Sequence, residues 1–434
     1  MITDRLKKSR IHYAWFILIM ACFFYFSTMG VANCAGLFYP RICEEMGWPL
    51  SKYTVCTIVQ GLFSFLAITF GGKMYAVYPT KKLLFEATLL LGLSHMLKGA
   101  MSSILGFCIQ GALYGAASGM LLFVPMPMLI NNWFIEKRST ALGIALLSSG
   151  VGGAIFSPIF TAIMDTWGWR AASYIGGAIT LVIAIPFILI VTVKKPSDIG
   201  MLPYGAVPEN EQEKASAAAS SVERSKTSGT GKANAQKSPN YYIYDDAKKN
   251  RLSILCFIIA ILVLQITVIT QQLANYAAVN GISTVVGGYM LSAAMIGNLS
   301  SKAALGVFCD KFGERKAYVT AMTLIGIGLL IMTFTPKSTV LLYFASALLG
   351  MGGATNTMTV PSILATFTKD DEYSTRLART SMGTGIASIF ATASLSGLYD
   401  LFGSYRPVML TLIVLQIAAI TLVFICTPGK KKAA

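Results

Sequence analysis

Long apolar runs constrain this chain more than any other feature. About twelve stretches of roughly twenty residues are poor in charged side chains and long enough to cross a bilayer as helices. We number them spans 1 to 12, at residues 13–37, 52–75, 83–101, 104–131, 139–163, 171–193, 252–277, 284–308, 317–335, 339–366, 376–398 and 405–427. Only 12% of the residues are charged, about half the share that is typical of soluble domains. The sequence therefore predicts an all-α membrane protein, since a membrane β-barrel alternates apolar and polar residues in pieces of about ten.

Lysine and arginine residues alternate between the gaps that separate the spans. With the long gap between spans 6 and 7 left aside, 18 of them fall at the termini and in one set of gaps, and six fall in the other set. Membrane proteins carry their excess of basic residues in cytoplasmic loops. The formal net charge of +16 therefore predicts both termini on the cytoplasmic side of the plasma (inner) membrane, and it does not indicate a nucleic-acid partner.

The composition changes abruptly after span 6. Residues 206–240 are rich in Ala, Ser, Lys and Glu and contain almost nothing to bury, which is typical of a disordered linker. The predicted organisation is a cytoplasmic tail at residues 1–12, a six-helix bundle at 13–193, a largely disordered cytoplasmic linker at 194–251, a second six-helix bundle at 252–427 and a cytoplasmic tail at 428–434.

Two landmarks indicate that the second bundle repeats the first. Gly72 opens the segment between spans 2 and 3, and Gly306 opens the segment between spans 8 and 9. The sequence Asp165-Thr-Trp-Gly closes span 5, and Asp400-Leu-Phe-Gly closes span 11. The two landmarks recur at almost the same offset along the chain. Duplicated halves around a midplane cavity are typical of secondary transporters.

The segment that follows span 8 carries a motif of the form G-x-x-x-D-K-x-G-x-R. Its residues are Gly306, Asp310, Lys311, Gly313 and Arg315. The motif resembles the signature of the major facilitator superfamily, and the resemblance extends over nearly the whole chain. It implies two pseudo-symmetric six-helix bundles, with Asp310 pairing with basic residues of a neighbouring helix in one state. The copy after span 2 departs from the signature, because Ala76 stands at the acidic position and Pro79 at the glycine.

Three further segments narrow the resemblance. They lie at residues 47–51 before span 2, 132–138 before span 5 and 396–405 at span 11. Together they are similar to the branch that contains monocarboxylate transporters and the oxalate:formate antiporter. This resemblance implies a small organic anion as the substrate and no cofactor.

Lys302 provides the strongest indication of the chemical class of the substrate. It lies in span 8, about 12 Å along the helix from Asp310, and no Asp or Glu lies near the middle of any predicted span. A lysine placed mid-membrane costs about 2.5–3.5 kcal/mol on insertion scales, so a partner should offset that cost. An anionic substrate is the predicted partner, and an interfacial lysine or a helix-end partner is the alternative.

The resemblance assigns roles to the positions around Lys302. Relatives in this branch have a cationic residue at this position, where it binds the substrate carboxylate. Asn298, one helical turn earlier, stands where proton-coupled animal monocarboxylate transporters carry Asp. Met382 stands where the oxalate:formate antiporter has a second lysine. One cation in place of two implies a monoanion.

Other polar and aromatic residues within the spans are further candidates for the cavity wall. They are Phe26, Gln60, Tyr114, Phe123, Gln272, Asn275 and Asn356. Hydrogen bonding between helices explains the amide side chains equally well. His95 and Lys98 in span 3 are expected near the outer surface as interfacial residues.

The sequence thus predicts a secondary active transporter that moves a small monocarboxylate by alternating access, as a proton symporter or an anion exchanger. It is expected to act as a monomer in the lipid bilayer. Templates for ATPases, metalloproteases and hydrolases are absent from the sequence, so neither an enzyme nor a metal site is predicted. Three alternatives stay open, namely an exporter of drug-like molecules, a membrane nutrient sensor that binds without transport, and an ion channel, against which the missing filter motif and charge rings count.

Overall fold

The protein is a bundle of long helices. The computed structural model describes residues 12–122, 125–206, 246–334, 338–355, 363 and 370–426. Apart from an isolated β-bridge between Phe134 and Tyr204, these residues form helices, turns and loops. The predicted all-α fold class is confirmed.

The N-terminal half contains the helices of spans 1 to 6. In chain order they are α1 (Tyr13–Asn33), α2 (Phe38–Met46), α3 (Leu50–Val77), α4 (Thr80–Ala100), α5 (Ile104–Leu122), α6 (Pro125–Trp133) and α7 (Arg138–Val191). The backbone of Gly168 interrupts α7 with φ 79° and ψ 166°, a conformation that glycine tolerates because it has no Cβ. Spans 5 and 6 lie on either side of this break.

The C-terminal half contains the helices of spans 7 to 12. They are α8 (Asp246–Thr267), α9 (Leu273–Val279), α10 (Thr284–Phe312), α11 (Glu314–Phe334), α12 (Thr339–Gly350), α13 (Gly352–Ala354), α14 (Asp370–Phe402) and α15 (Tyr405–Cys426). Within the described residues, eight helical stretches are long and apolar enough to cross a membrane. One of these stretches runs from Thr140 to Val191 and includes spans 5 and 6.

Close helix packing repeats between the two halves. A Cβ on Gly115 of α5 would overlap the backbone carbonyl of Gln60 in α3, and a Cβ on Gly350 of α12 would overlap the carbonyl of Ala294 in α10. The two glycines, and likewise the two carbonyls, are separated along the chain by almost the same offset as the landmarks of the repeat. Glycine allows such backbone contact between membrane helices. The internal repeat seen in the sequence is therefore also a repeat of helix packing.

The chain that leaves α7 packs back onto the N-terminal half. The indole Nε1 of Trp133 donates to the carbonyl of Val193 at 2.8 Å, and the Nδ2 of Asn132 donates to the carbonyl of Lys194 at 3.1 Å. The backbone N–H of Tyr204 donates to the carbonyl of Trp133 at 2.9 Å. The segment at 132–138 thus anchors residues 193–204, while residues 207–245 of the predicted linker lie outside the described residues.

Candidate functional site

The two halves meet along two pairs of helices, α7 with α10 and α3 with α14. The hydroxyl of Ser157 in α7 donates to the carbonyl of Gly288 in α10 at 2.7 Å. On the other side, a Cβ on Gly61 of α3 would lie 3.0 Å from the Cα of Ile389 in α14. These contacts close the half of the interface that the sequence predicts to be outermost.

The interface between α7 and α10 widens towards the predicted cytoplasmic face. A Cβ on Gly153 would lie 3.0 Å from the Cγ of Met295, and one on Gly150 would lie 3.6 Å from the carbonyl oxygen of Met295. A Cβ on Gly143, two helical turns further, would meet no atom of the described residues within 4 Å. Among the described residues, α7 and α10 are therefore in close contact towards the outer face and further apart towards the predicted cytoplasmic face.

Lys302 lies on α10 beyond the closed part of this interface. It is half-buried, about 27 Å of helix from Thr284 and about 15 Å from Phe312. The ion pairs in which both partners are described are Arg41–Asp165, Lys82–Glu86 and Arg170–Glu45. Lys302 therefore has neither an ion pair nor a hydrogen bond to any described residue.

Asn298 is also half-buried and lies one turn before Lys302 on α10. Its side-chain amide packs against Gly353 of α13, where a Cβ would overlap the Nδ2 atom. Because Gly353 has no side chain, span 10 can approach α10 closely at Asn298. The structure thus brings Asn298 and Lys302 together on one face of one helix.

Phe26 and Gln60 are half-buried residues of the N-terminal half. The ring of Phe26 lies 4.9 Å from the ring of Phe156 in α7, next to the glycines that meet α10. Gln60 makes no side-chain hydrogen bond to the described residues. Both positions remain candidates for the cavity wall.

Gln272 and Asn275 are used inside the C-terminal half. The Nε2 of Gln272 donates to Ser396 Oγ at 3.0 Å, and its Oε1 accepts from the hydroxyl of Tyr405 at 3.0 Å. The Nδ2 of Asn275 donates to the same hydroxyl at 2.7 Å. All of these groups are buried, so hydrogen bonding between helices accounts for both amides.

The adjacent Gln271 has a buried Oε1 without a hydrogen-bond partner among the described residues. Of the two glutamines, Gln271 is therefore the better candidate for contact with a ligand.

Tyr405→Phe should destabilise the protein without altering its substrate preference. The substitution removes the hydroxyl that joins Gln272 to Asn275 and leaves both buried amides short of a partner, at a cost of about 1–3 kcal/mol. Thermal unfolding of the purified protein would measure this loss. A change in the ranking of transported substrates would show instead that the network borders the binding site.

Tyr114, His95 and Lys98 form a buried group inside the N-terminal half. The exposed fractions of their side chains are 7%, 4% and 9%, respectively. The ring of His95 lies edge-on to Tyr114 at 4.8 Å, and the Nζ of Lys98 lies 4.6 Å from the ring centre of Phe38. The expectation that His95 and Lys98 are interfacial is wrong, because α4 turns both side chains towards α2 and α5. The ring of Tyr114 faces His95 of α4, and its place in the cavity wall stays a prediction.

Several predicted residues fall outside the described part of the chain. They are Phe123, Asn356 and the side chains of Met382 and Asp310. Within the motif after span 8, Gly313 ends α10 with φ 84°, Lys311 is exposed and the guanidinium of Arg315 lies 4.1 Å from the ring centre of Phe424.

Comparison with known proteins decides the family. The sequence pattern of the Major Facilitator Superfamily matches residues 17–270 and 252–434. The chain belongs to the Major Facilitator Superfamily. The chain is thus related to multi-pass membrane transporters.

Similar proteins include ones named monocarboxylate transporters. The chain is 20% identical to monocarboxylate transporter 13 of Bos taurus over 39% of this chain and 40% of that protein. It is 30% identical to the MFS-type transporter pytF of Aspergillus terreus over 38% of this chain and 58% of that protein. The uncharacterized MFS-type transporter YhjX of Escherichia coli is 21% identical over 86% of both chains. The chain thus spans only about half the length of pytF and of transporter 13.

Solved structures of transporters share the fold. The crystal structure of the nucleoside transporter NupG superposes with a TM-score of 0.71 over 97% of this chain and 100% of that chain, at 10% identity. A POT family transporter in complex with 5-aminolevulinic acid superposes with a TM-score of 0.68 over 95% of this chain and 94% of that chain, at 12% identity. At such low identity these likenesses concern the fold alone.

Proposed function

We propose that this transporter carries a small monocarboxylate and that Lys302 binds the carboxylate group. The observation that supports the proposal is a half-buried ammonium on α10, within predicted span 8, that makes no ion pair with any described residue. A charge in such a place is costly unless it is paired. A carboxylate supplies both the opposite charge and acceptors for strong, charge-assisted hydrogen bonds.

The surroundings of Lys302 fit a small ligand. Asn298 lies on the same face of α10 and offers an amide to a second carboxylate oxygen or to a hydroxyl group. Phe26 and Gln60 from the other half supply an apolar and a polar wall. Similarity to proteins named monocarboxylate transporters supports the same substrate class.

Substrate binding at Lys302 also provides a reason for the two halves to close. Closing the cavity around an unpaired ammonium removes it from water without compensation, whereas closing around an ammonium–carboxylate pair does not. The bound carboxylate therefore favours the closed state through its differential affinity for that state. Coupling by proton symport and coupling by anion exchange both satisfy this requirement. In either mode we place the termini in the cytoplasm, the protein in the plasma membrane, and the functional unit as a monomer.

Export of amphipathic cations requires a carboxylate in the cavity. The described carboxylates that make contacts lie at helix ends or in loops, as Asp165, Asp198 and Asp400 illustrate. Lys302 instead places a positive charge at the proposed site, and this charge would repel a cationic substrate. The geometry therefore favours an anion over a drug-like cation.

A ligand screen tests the proposal. Formate, acetate and lactate should raise the melting temperature of the purified protein, whereas formamide, acetamide and lactamide should not, because the amides keep the shape and lose the charge. At a ligand concentration of 100 times Kd the expected stabilisation is about 2.7 kcal/mol. Equal shifts with acids and amides, or no shift with any acid, would contradict a carboxylate site.

Counterflow in proteoliposomes separates transport from sensing. Vesicles loaded with unlabelled carboxylate should accumulate the labelled form transiently if the protein transports, and a sensor would bind without exchange. Repeating the assay with an imposed pH gradient separates the two coupling modes, since only a proton symporter concentrates substrate in response to that gradient.

A further inference from the structure

The repeated sequence D-x-x-G marks the outer end of one span in each half. It occurs at Asp165, where span 5 ends, and at Asp400, where span 11 ends. The glycines that follow have φ values of 79° at Gly168 and 62° at Gly403, so each lets the chain reverse into the next span. The glycine accounts for the turn, but the turn does not require an aspartate three residues earlier.

Asp165 reaches from the N-terminal half to the C-terminal half. Its Oδ2 and Oδ1 accept from the hydroxyl of Thr284, at 3.0 Å and 3.2 Å. Thr284 is the first residue of α10. The guanidinium of Arg41 also pairs with Asp165 and holds the carboxylate in place.

Asp400 makes the matching contact in the opposite direction. Its Oδ2 accepts from the backbone N–H of Ser51 at 2.8 Å. Ser51 is the second residue of α3, and the residue before that helix, Pro49, provides no side-chain cap. Asp400 thus takes the place of a missing N-cap, and a carboxylate is favoured there by the partial positive charge of a helix N-terminus.

The two contacts are related by the internal repeat. Asp400 stands at the position of the second half that corresponds to Asp165, and the helix starts that they hold, Thr284 and Ser51, are separated by nearly the same offset. Each half therefore holds the outer end of one helix of the other half with a carboxylate. Both contacts cross the interface, so parting the halves at the outer face would break both.

An apolar cluster lies directly beneath these contacts. It joins Cys34 and Leu37 of the N-terminal half to Leu291 and Met295 of α10. A hydrogen bond from Ser292 Oγ to the carbonyl of Ala154, 2.9 Å long, spans the same layer. Parting the outer face would separate this layer and admit water to the buried Cys34.

We propose that Asp165 and Asp400 are positioning residues of the transport cycle, a pair of outer latches that hold the closed outer face and release it when the halves rock. The latches act on the conformational equilibrium and do not touch the substrate. The inference therefore stands whatever the substrate is, and it concerns the opposite end of the protein from the motif after span 8.

Reactivity of Cys34 with a water-soluble maleimide tests the latches. The full chain is reconstituted in nanodiscs, and labelling at each cysteine is followed by mass spectrometry. Asp165→Ala combined with Asp400→Ala should speed the labelling of Cys34 at least fivefold, with each single variant between the double variant and the wild type. Thr284→Val should reproduce Asp165→Ala, and the two substitutions combined should add nothing further, because both remove the same contact.

Two controls separate opening from unfolding. Glu45→Gln alters a carboxylate on the same face whose contacts, Trp169 and Arg170, lie within its own half, and it should leave the labelling of Cys34 unchanged. Cys256, buried in the C-terminal half, should stay protected in every variant. Wild-type labelling of Cys34 in the double variant would overturn the proposal. Labelling of Cys34 and Cys256 in parallel would also overturn it, since that result indicates general loosening.

Discussion

Lys302→Gln should reduce carboxylate uptake at least ~100-fold while leaving folded protein in the membrane. Removing one partner of a buried ion pair costs about 3–5 kcal/mol, and each 1.4 kcal/mol is about tenfold in affinity. Glutamine keeps the length and the polarity of the side chain and removes the charge. Initial rates of radiolabelled acetate or lactate uptake into proteoliposomes would measure the loss.

The same change at an exposed lysine provides the control. Lys81 is exposed at the start of α4, and Lys81→Gln should transport as the wild type does. Lys302→Arg should retain part of the uptake, because a guanidinium also pairs with a carboxylate although its planar fork fits differently. Wild-type uptake by Lys302→Gln would remove Lys302 from the binding site.

The helical architecture could be predicted from the length of the apolar runs and from the spacing of repeated residues along the sequence. Runs of about twenty apolar residues set the spans, and the offsets between repeated landmarks predicted the duplication that Gly115 and Gly350 display in the packing. The lone cation in span 8 could also be found, because a charged residue stands out against an apolar helix. These signals depend on residue type and spacing alone.

The direction in which a polar residue faces could not be predicted in the same way. In a soluble helix the apolar stripe identifies the buried face, but a membrane helix is apolar both towards lipid and towards its neighbours. Gln271 and Gln272 are adjacent and chemically identical, yet Gln272 bonds within the C-terminal half and Gln271 keeps a buried acceptor that no described residue satisfies. His95 and Lys98 were misplaced for the same reason. Only the packing of α4 against α2 and α5 determines where they face.

Gly36→Ala should impair transport by preventing the outer face from closing. Gly36 lies in the turn between α1 and α2, and a Cβ there would overlap the backbone carbonyl of Gln271 in the other half. A backbone carbonyl cannot rotate away as a side chain can, so the methyl group fits only when the halves are apart at this face. Overpacking of this kind costs about 1–3 kcal/mol, which lowers the closed population by about 5- to 150-fold. Counterflow should fall accordingly, while the thermal shift caused by a bound carboxylate persists.

A matched glycine substitution tells whether the added methyl acts through this contact. Gly397 lies in α14, and a Cβ there would meet nothing within 4 Å, so Gly397→Ala should transport normally. Gly36→Ala should also raise the reactivity of the nearby Cys34, as loss of the outer latches should, because both changes favour the open outer face. If Gly36→Ala instead exchanged substrate at the wild-type rate, spans 1 and 7 would not need to come into contact during the cycle.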